Sequence, residues 1–217
     1  MRDGATAAAA AAAGADAVGL VFVPGSPRRV TTDQARNIVC GLPPFVEPVG
    51  LFLDASADHI RHTADVVGLQ VVQLHGRETP GLVAQLAPLR AIKAVAFDQE
   101  KTADHLEPWV GARHSLAGLL LDAPVVDRGA VAPGGGTGRV FDWDRLAAFK
   151  RSGGLDGLPP LVLAGGLTPQ NVGRAIALVS PYAVDVSSGV EAGRGVKDNA
   201  LIQAFCQAVG VADRLSF

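Results

Sequence analysis

Cysteine, aromatic residues and net charge are all scarce in this 217-residue chain, which has 2 cysteines, 5 % aromatic residues and a formal net charge of −2. Two thiols, Cys40 and Cys206, cannot build a disulfide framework, and their spacing is not that of a zinc site, so no metal is expected. The near balance of 19 basic and 21 acidic residues leaves no footprint for nucleic acid or for an anionic membrane surface. The longest apolar stretches, at 17–23 and 116–121, are far too short to span a membrane. No basic head followed by an apolar run and a cleavage site opens the chain, the pattern of a secretory signal. Glycine (26) and proline (14) are too scattered for a low-complexity segment. The expectation is a soluble, cytoplasmic, globular protein of one domain, 1–217, long enough to bury a single core.

What is present is an alternation of short apolar runs and longer amphipathic stretches. Segments 17–22, 46–53, 71–74, 91–96, 116–121, 161–164 and 183–186 are rich in valine and leucine and read as strands of a parallel sheet covered by helices. Helical patterns lie between them at 32–41, 56–67, 78–88, 101–110, 143–151, 169–179 and 198–209. Thr32 before Asp33 and Thr168 before Pro169 read as helix starts. Unbroken βα repeats argue for α/β architecture in one domain, with a closed (β/α)8 TIM barrel favoured over a doubly wound sheet. Ahead of the first strand, Asp3 can cap a helix through the alanine run at 7–13, and Gly14 can close it. The expectation is therefore a barrel of seven strands whose first strand is missing from this chain. No predicted helix face is apolar all round, so a monomer is expected.

In a parallel barrel the chemistry lies at the C-terminal ends of the strands. Those ends carry Arg28 and Arg29, Asp54, Gln73 with His75, Asp122, Gly165-Gly166 and Ser187-Ser188-Gly189. The two glycine turns suit a phosphate, because glycine lets backbone N–H groups approach its oxygens and a short helix from Ser188 would point at it. Tight βα turns would use the same glycines. Asp122, ending the most apolar strand, reads either as a partly desolvated proton donor or as a cap before Pro124. Lys93 could form a Schiff base, or could be a barrel-interior lysine paired with Asp122 or Asp54; burial without a carboxylate partner favours the pairing. Arg28 sits on a loop stiffened by Pro24 and Pro27 and could grip a substrate carboxylate, whereas Arg29 reads as a solvated surface residue. The glycine run at 134–138 lacks the end of a P-loop and reads better as a mobile loop over the site. Cys40 and Cys206 fall in helices, away from the strand ends.

These residues together resemble the phosphoribosylanthranilate isomerase family, (β/α)8 enzymes of tryptophan biosynthesis, over nearly the whole chain. The resemblance is carried by Gly14-Ala15-Asp16-Ala17-Val18-Gly19-Leu20-Val21-Phe22, Ser26-Pro27-Arg28, Val72-Gln73-Leu74-His75-Gly76, Ile92-Lys93-Ala94-Val95 and Leu121-Asp122. It continues in Gly135-Gly136-Thr137-Gly138, Phe141-Asp142-Trp143, Ala164-Gly165-Gly166-Leu167 and Asp185-Val186-Ser187-Ser188-Gly189-Val190-Glu191. It implies an Amadori rearrangement of N-(5-phosphoribosyl)anthranilate, with no metal or organic cofactor and a phosphorylated small molecule as the only partner. Asp122 would protonate the ring oxygen, Arg28 would hold the anthranilate carboxylate, and Gly165, Gly166, Ser187, Ser188 and Gly189 would hold the phosphate. Gln73, His75 and Asp185 would complete the substrate site. In the family the general base is a cysteine ending the first strand in a Lys-Ile-Cys-Gly-type motif. Met1-Arg2-Asp3 matches the residues just after that Cys-Gly, so strand and base are both expected to be absent here. Two rivals stand beside this reading: a Schiff-base aldolase using Lys93, and a phosphosugar-binding barrel without turnover.

Overall fold

The structure, a computed structural model, describes residues 1–98, 101–112, 115–123 and 142–215. The valine- and leucine-rich runs become strands because branched side chains suit a pleated surface covered on both faces. Seven of them pair in parallel, in chain order: β1 (Ala17–Val21), β2 (Glu47–Phe52), β3 (Val71–Leu74), β4 (Arg90–Ala96), β5 (Leu116–Asp122), β6 (Leu161–Leu163) and β7 (Ala183–Val184). A doubly wound sheet reverses its strand order at a switch point. Here nothing reverses, so each crossover steps the same way and lays its helix on one side of the sheet.

The helices are α1 (Gly4–Ala12), α2 (Thr32–Cys40), α3 (Ala57–Val67), α4 (Pro80–Gln85), α5 (Thr102–Leu106), α6 (Trp143–Arg151), α7 (Val172–Val179) and α8 (Asn199–Leu215). Caps set their starts: Asp3 accepts from Thr6 N, and Thr79 precedes Pro80 at the first helical position. Two expected starts shift. The cap of α2 is Thr31 rather than Thr32, because Gln34 completes a reciprocal capping box with it. Thr168-Pro169 does not open α7; Asn171 stands before that helix, and its amide instead braces the preceding loop, accepting from Thr168 N at 2.7 Å and donating to Gly166 O at 3.0 Å. Likewise Glu78, expected in α4, lies ahead of the Thr79 cap.

Side chains alternate across a strand, so the apolar residues divide between two faces. Leu20, Phe52, Leu74, Leu119, Leu121 and Leu163 are fully buried in the main core between sheet and helices. Each such side chain contributes about 1.5–3 kcal/mol through burial. Ala94, Leu120 and Ala164, with Ile92 and Val162, form a small second cluster on the inner face. The same alternation puts Gln73, His75, Asp122 and Asp185 on that inner side.

β1 and β7 are the two edges of the sheet, and the inner-side residues Ala17, Gly19 and Ala183 are exposed there. Met1 N donates to Gly19 O on β1. Across the same place the helical layer is continuous: α7 packs on α8, α8 on α1 and α1 on α2. A separate two-stranded hairpin, β8 (Glu191–Gly193) with β9 (Val196–Lys197), precedes α8. Among the described residues no helix is long and apolar enough to cross a membrane.

Candidate active site

The loops that follow β6 and β7 touch. Gly165 and Gly166 take φ of +84° and +66°, a region that glycine enters without strain. A side chain at Gly165 would also put its Cβ 2.5 Å from Ala123 N and 3.0 Å from Asp122 Oδ1. Gly189, in the short 3-10 helix Ser188–Val190, lies so close to Leu167 O that a Cβ there would overlap it. Among the described residues the amides of Gly165, Gly166, Ser188 and Gly189 donate to no protein acceptor. Four unspent donors on two abutting loops suit an anion. The loop is tied from behind, since Lys197 Nζ donates to Ser187 O at 2.7 Å.

Beside these loops the inner face carries a chain of polar contacts. Gln73 Nε2 lies 3.0 Å from His75 Nδ1, and an amide N–H donated there puts the hydrogen of a neutral imidazole on Nε2. That nitrogen lies 3.4 Å from Asp122 Oδ2, while Asp122 Oδ1 accepts from Ala123 N at 2.7 Å. The Asp122 side chain keeps 20 % of its surface open, so it can reach both water and a ligand.

Arg28 is buried and Arg29 exposed, as their loop positions suggest. The Arg28 guanidinium is not loose, however. Its Nε and Nη2 meet Glu191 Oε1 and Oε2 at 2.6 and 2.8 Å, a bidentate pair that leaves Nη1 without a partner among the described residues. Lys197 Nζ joins Glu191 Oε1 at 3.2 Å, and Gly195 N donates to Oε2 at 3.1 Å. Burial alone would raise the Glu191 carboxyl, but Arg28, the Gly195 amide and Lys197 together hold it below the usual glutamate range.

The Lys93 reading is corrected in two respects. Ala91 and Val95 point into the main core, so Lys93, on the same side of β4, faces the helices rather than the barrel interior. Its carboxylate partner is Glu78, at 3.0 Å, and not Asp122 or Asp54. Lys93 Nζ also donates to Leu74 O at 3.2 Å and Gly76 O at 2.7 Å, which uses all three of its hydrogens. Burial pulls its ammonium below the usual lysine range, against the raising effect of Glu78.

Asp185 lies where β7 gives way to the second loop. The protein crowding round it, and secondly the Asp122 charge, push its carboxyl above the usual aspartate range, with Lys197 opposing. Its surface still reaches solvent at the open edge, so the crowding is partial. A carboxyl raised in the folded state supports folding below its unfolded value, and that support is lost as pH rises through the folded value. Asp185→Asn is therefore expected to raise the thermal midpoint at neutral pH and to give no gain in acid below the carboxylate range; unfolding scans at both pH values check it.

Two residues in this cluster escaped the sequence reading. Glu78 could have been found from Thr79-Pro80, whose cap and first-turn signal place the residue before it outside the helix. Glu191 closes the block that begins at Asp185, but nothing local announces its partner. The loop at 134–138 and Phe141 lie outside the described residues. Among the described residues, no three His, Cys, Asp or Glu side chains gather to hold a metal ion. Cys40 is exposed at the end of α2 and Cys206 is partly buried in α8, both unbonded.

The sheet order, one-sided helical layer and polar cluster at the strand ends define a parallel α/β enzyme fold of TIM-barrel type. The family model described as N-(5'-phosphoribosyl)anthranilate (PRA) isomerase matches residues 1–208. An N-(5'-phosphoribosyl)anthranilate isomerase of Pseudomonas fluorescens SBW25 is 47 % identical over 201 residues, 93 % of this chain and 88 % of that one. The phosphoribosyl anthranilate isomerase structure from Thermotoga maritima superposes with a TM-score of 0.82 at 38 % identity, covering 97 % of this chain and 96 % of the other. A phosphoribosyl anthranilate isomerase structure in complex with reduced 1-(o-carboxyphenylamino)-1-deoxyribulose 5-phosphate gives a TM-score of 0.79 at 37 % identity, covering 97 % and 95 %. The chain belongs to the phosphoribosylanthranilate isomerase family.

Proposed function

We propose that this chain converts N-(5-phosphoribosyl)anthranilate to 1-(2-carboxyphenylamino)-1-deoxyribulose 5-phosphate, an Amadori rearrangement in tryptophan biosynthesis. The observation that carries this reading is Asp122, 3.4 Å from His75 and against the Gly165 turn, so that acid and anion cradle adjoin. In the first step Asp122 gives its proton to the ribose ring oxygen as the C1–O bond breaks, leaving a C1=N iminium. Loss of the C2 proton then yields an enamine, which tautomerises to the ketone. The amides of Gly165, Gly166, Ser188 and Gly189, with Ser187, hold the phosphate. The free Nη1 of Arg28 takes the anthranilate carboxylate, and Gln73, His75 and Asp185 line the sugar. Positioning and proton transfer supply the catalysis. A family relative holding the reduced product skeleton supports the same ligand class here.

The group that removes the C2 proton belongs, in this reading, to the gap between β7 and β1. Two observations support a further parallel strand there: both edges are open, and the helical layer continues from α8 to α1. The reading also takes 1–217 as one domain and the protein as a cytoplasmic monomer, although a Thermotoga maritima relative is dimeric. The test is fluorescence decay of N-(5-phosphoribosyl)anthranilate, run on the 217-residue chain and on one lengthened upstream by a strand ending in Cys-Gly. Turnover in the longer chain is expected, and if the 217-residue chain is silent beside it the base is assigned to that strand. Turnover in both gives the proton to another group, and binding without turnover in either leaves a phosphosugar-binding protein. Borohydride added during turnover should trap nothing on Lys93; a trapped adduct there would instead make the chain an aldolase.

A further inference from the structure

We propose that Glu78 and Lys93 are positioning residues that hold the His75 imidazole against Asp122; the activity arm of the test rests on the isomerase reading above. Both charged groups are buried, with side chains 1 % and 5 % exposed. Replacing a buried ion pair by apolar groups of similar volume is often neutral for folding, so stability alone does not account for two charges here.

What the pair does is grip the backbone on either side of His75. Lys93 Nζ donates to Leu74 O and Gly76 O, the carbonyls flanking that residue. The Glu78 carboxylate accepts from Gly76 N at 2.9 Å and from Asp54 N at 2.9 Å, and Asp54 Oδ1 accepts in turn from Arg77 N at 2.6 Å. The ends of β2, β3 and β4 are thereby tied to one charge pair, and His75 N is held to Phe52 O at 2.9 Å. The clamp lies on the helix side of the sheet and the imidazole on the inner side, so the pair never touches a ligand. It acts through the peptide it holds. With Nε2 at 3.4 Å from Asp122 Oδ2, the contact has little slack, and a displacement of about 1 Å is enough to cost about 100-fold in rate.

The test uses Glu78→Gln, Lys93→Met and the double variant, with histidine nitrogen NMR of the unliganded 217-residue protein alongside steady-state kinetics in whichever chain, this one or the lengthened one, turns over. The His75 resonance is assigned by its loss in His75→Gln. In the starting protein it should report hydrogen on Nε2. In the double variant, which leaves no buried charge unpaired, the unfolding midpoint should recover relative to either single variant. The His75 signal should nevertheless become a mixture of tautomers, with kcat down about 100-fold and KM unchanged. A merely structural pair would recover kcat and the His75 signal together with stability, and that result overturns the proposal. Should the double variant not fold, Glu78→Asp keeps the charge and shortens the reach; it should show the same tautomer mixture, and a starting-protein spectrum there is equally fatal. If neither the 217-residue chain nor the lengthened one turns over, the isomerase reading falls, while the NMR arm still decides the clamp.

Discussion

Asp122→Asn is expected to lower kcat by about 10²–10⁴-fold, the usual range for removing a general acid or base. The substitution is nearly isosteric. Its amide oxygen can still accept from Ala123 N, now 2.7 Å from Oδ1, so the turn that abuts Gly165 keeps its shape. What is lost is a proton that can be delivered to an oxygen, which an amide does not supply. Affinity for the reduced product analogue should be unchanged by calorimetry, because the anion cradle and Arg28 are untouched. A kcat fall with intact binding assigns Asp122 to the chemical step. Retention of more than about a tenth of the activity would remove it from the role of acid.

Glu191→Ala should give the largest loss of stability, about 3–5 kcal/mol, because it leaves buried cations unpaired. Glu191 stands between Arg28 and Lys197, and its side chain is only 4 % exposed. The loss is large against the roughly 5–15 kcal/mol that keeps a typical domain folded. The effect should depend on pH in a definite sense. A carboxyl held below its ordinary value contributes stability above the unfolded pKa of about 4.3, and the contribution is lost as pH falls through the folded value. The difference in denaturant midpoint between the two proteins should therefore be greatest near neutrality and narrow in acid. At neutral pH, KM should rise as well, since Arg28 loses the partner that aims Nη1 and Lys197 loses one of its two acceptors. An unchanged midpoint at neutral pH would mean the cluster is not the lock it looks to be.

Much of the fold was legible along the chain. The strand runs and the helical stretches between them are local signals, written in apolar patterning, and the Asp3 cap of α1 is another. Departures fall where tertiary contacts compete with those signals. The run at 183–186 is strand only at Ala183–Val184, because beyond it the backbone turns into the loop that Gly189 presses on Leu167. Thr168-Pro169 has a good local start pattern, yet Asn171 is used to satisfy the loop carbonyl and amide left over by the two glycines.

The site divides the same way. Asp122, His75, Gln73 and the two glycine loops could be read from their positions at strand ends, since parallel strands deliver their C-termini to one rim. Lys93 could not be placed correctly, because the face it occupies depends on the alternation of β4 and its partner lies in the turn after β3. By itself, the sequence determined which segments become strands and helices and which family they build, because periodicity, caps and motif spacing belong to neighbours along the chain. Only the tertiary structure decided which carboxylate meets which cation. Arg28 and Glu191 are 163 residues apart, and what joins them is the curl of the sheet, which carries the rim loops after its first and last strands toward one another.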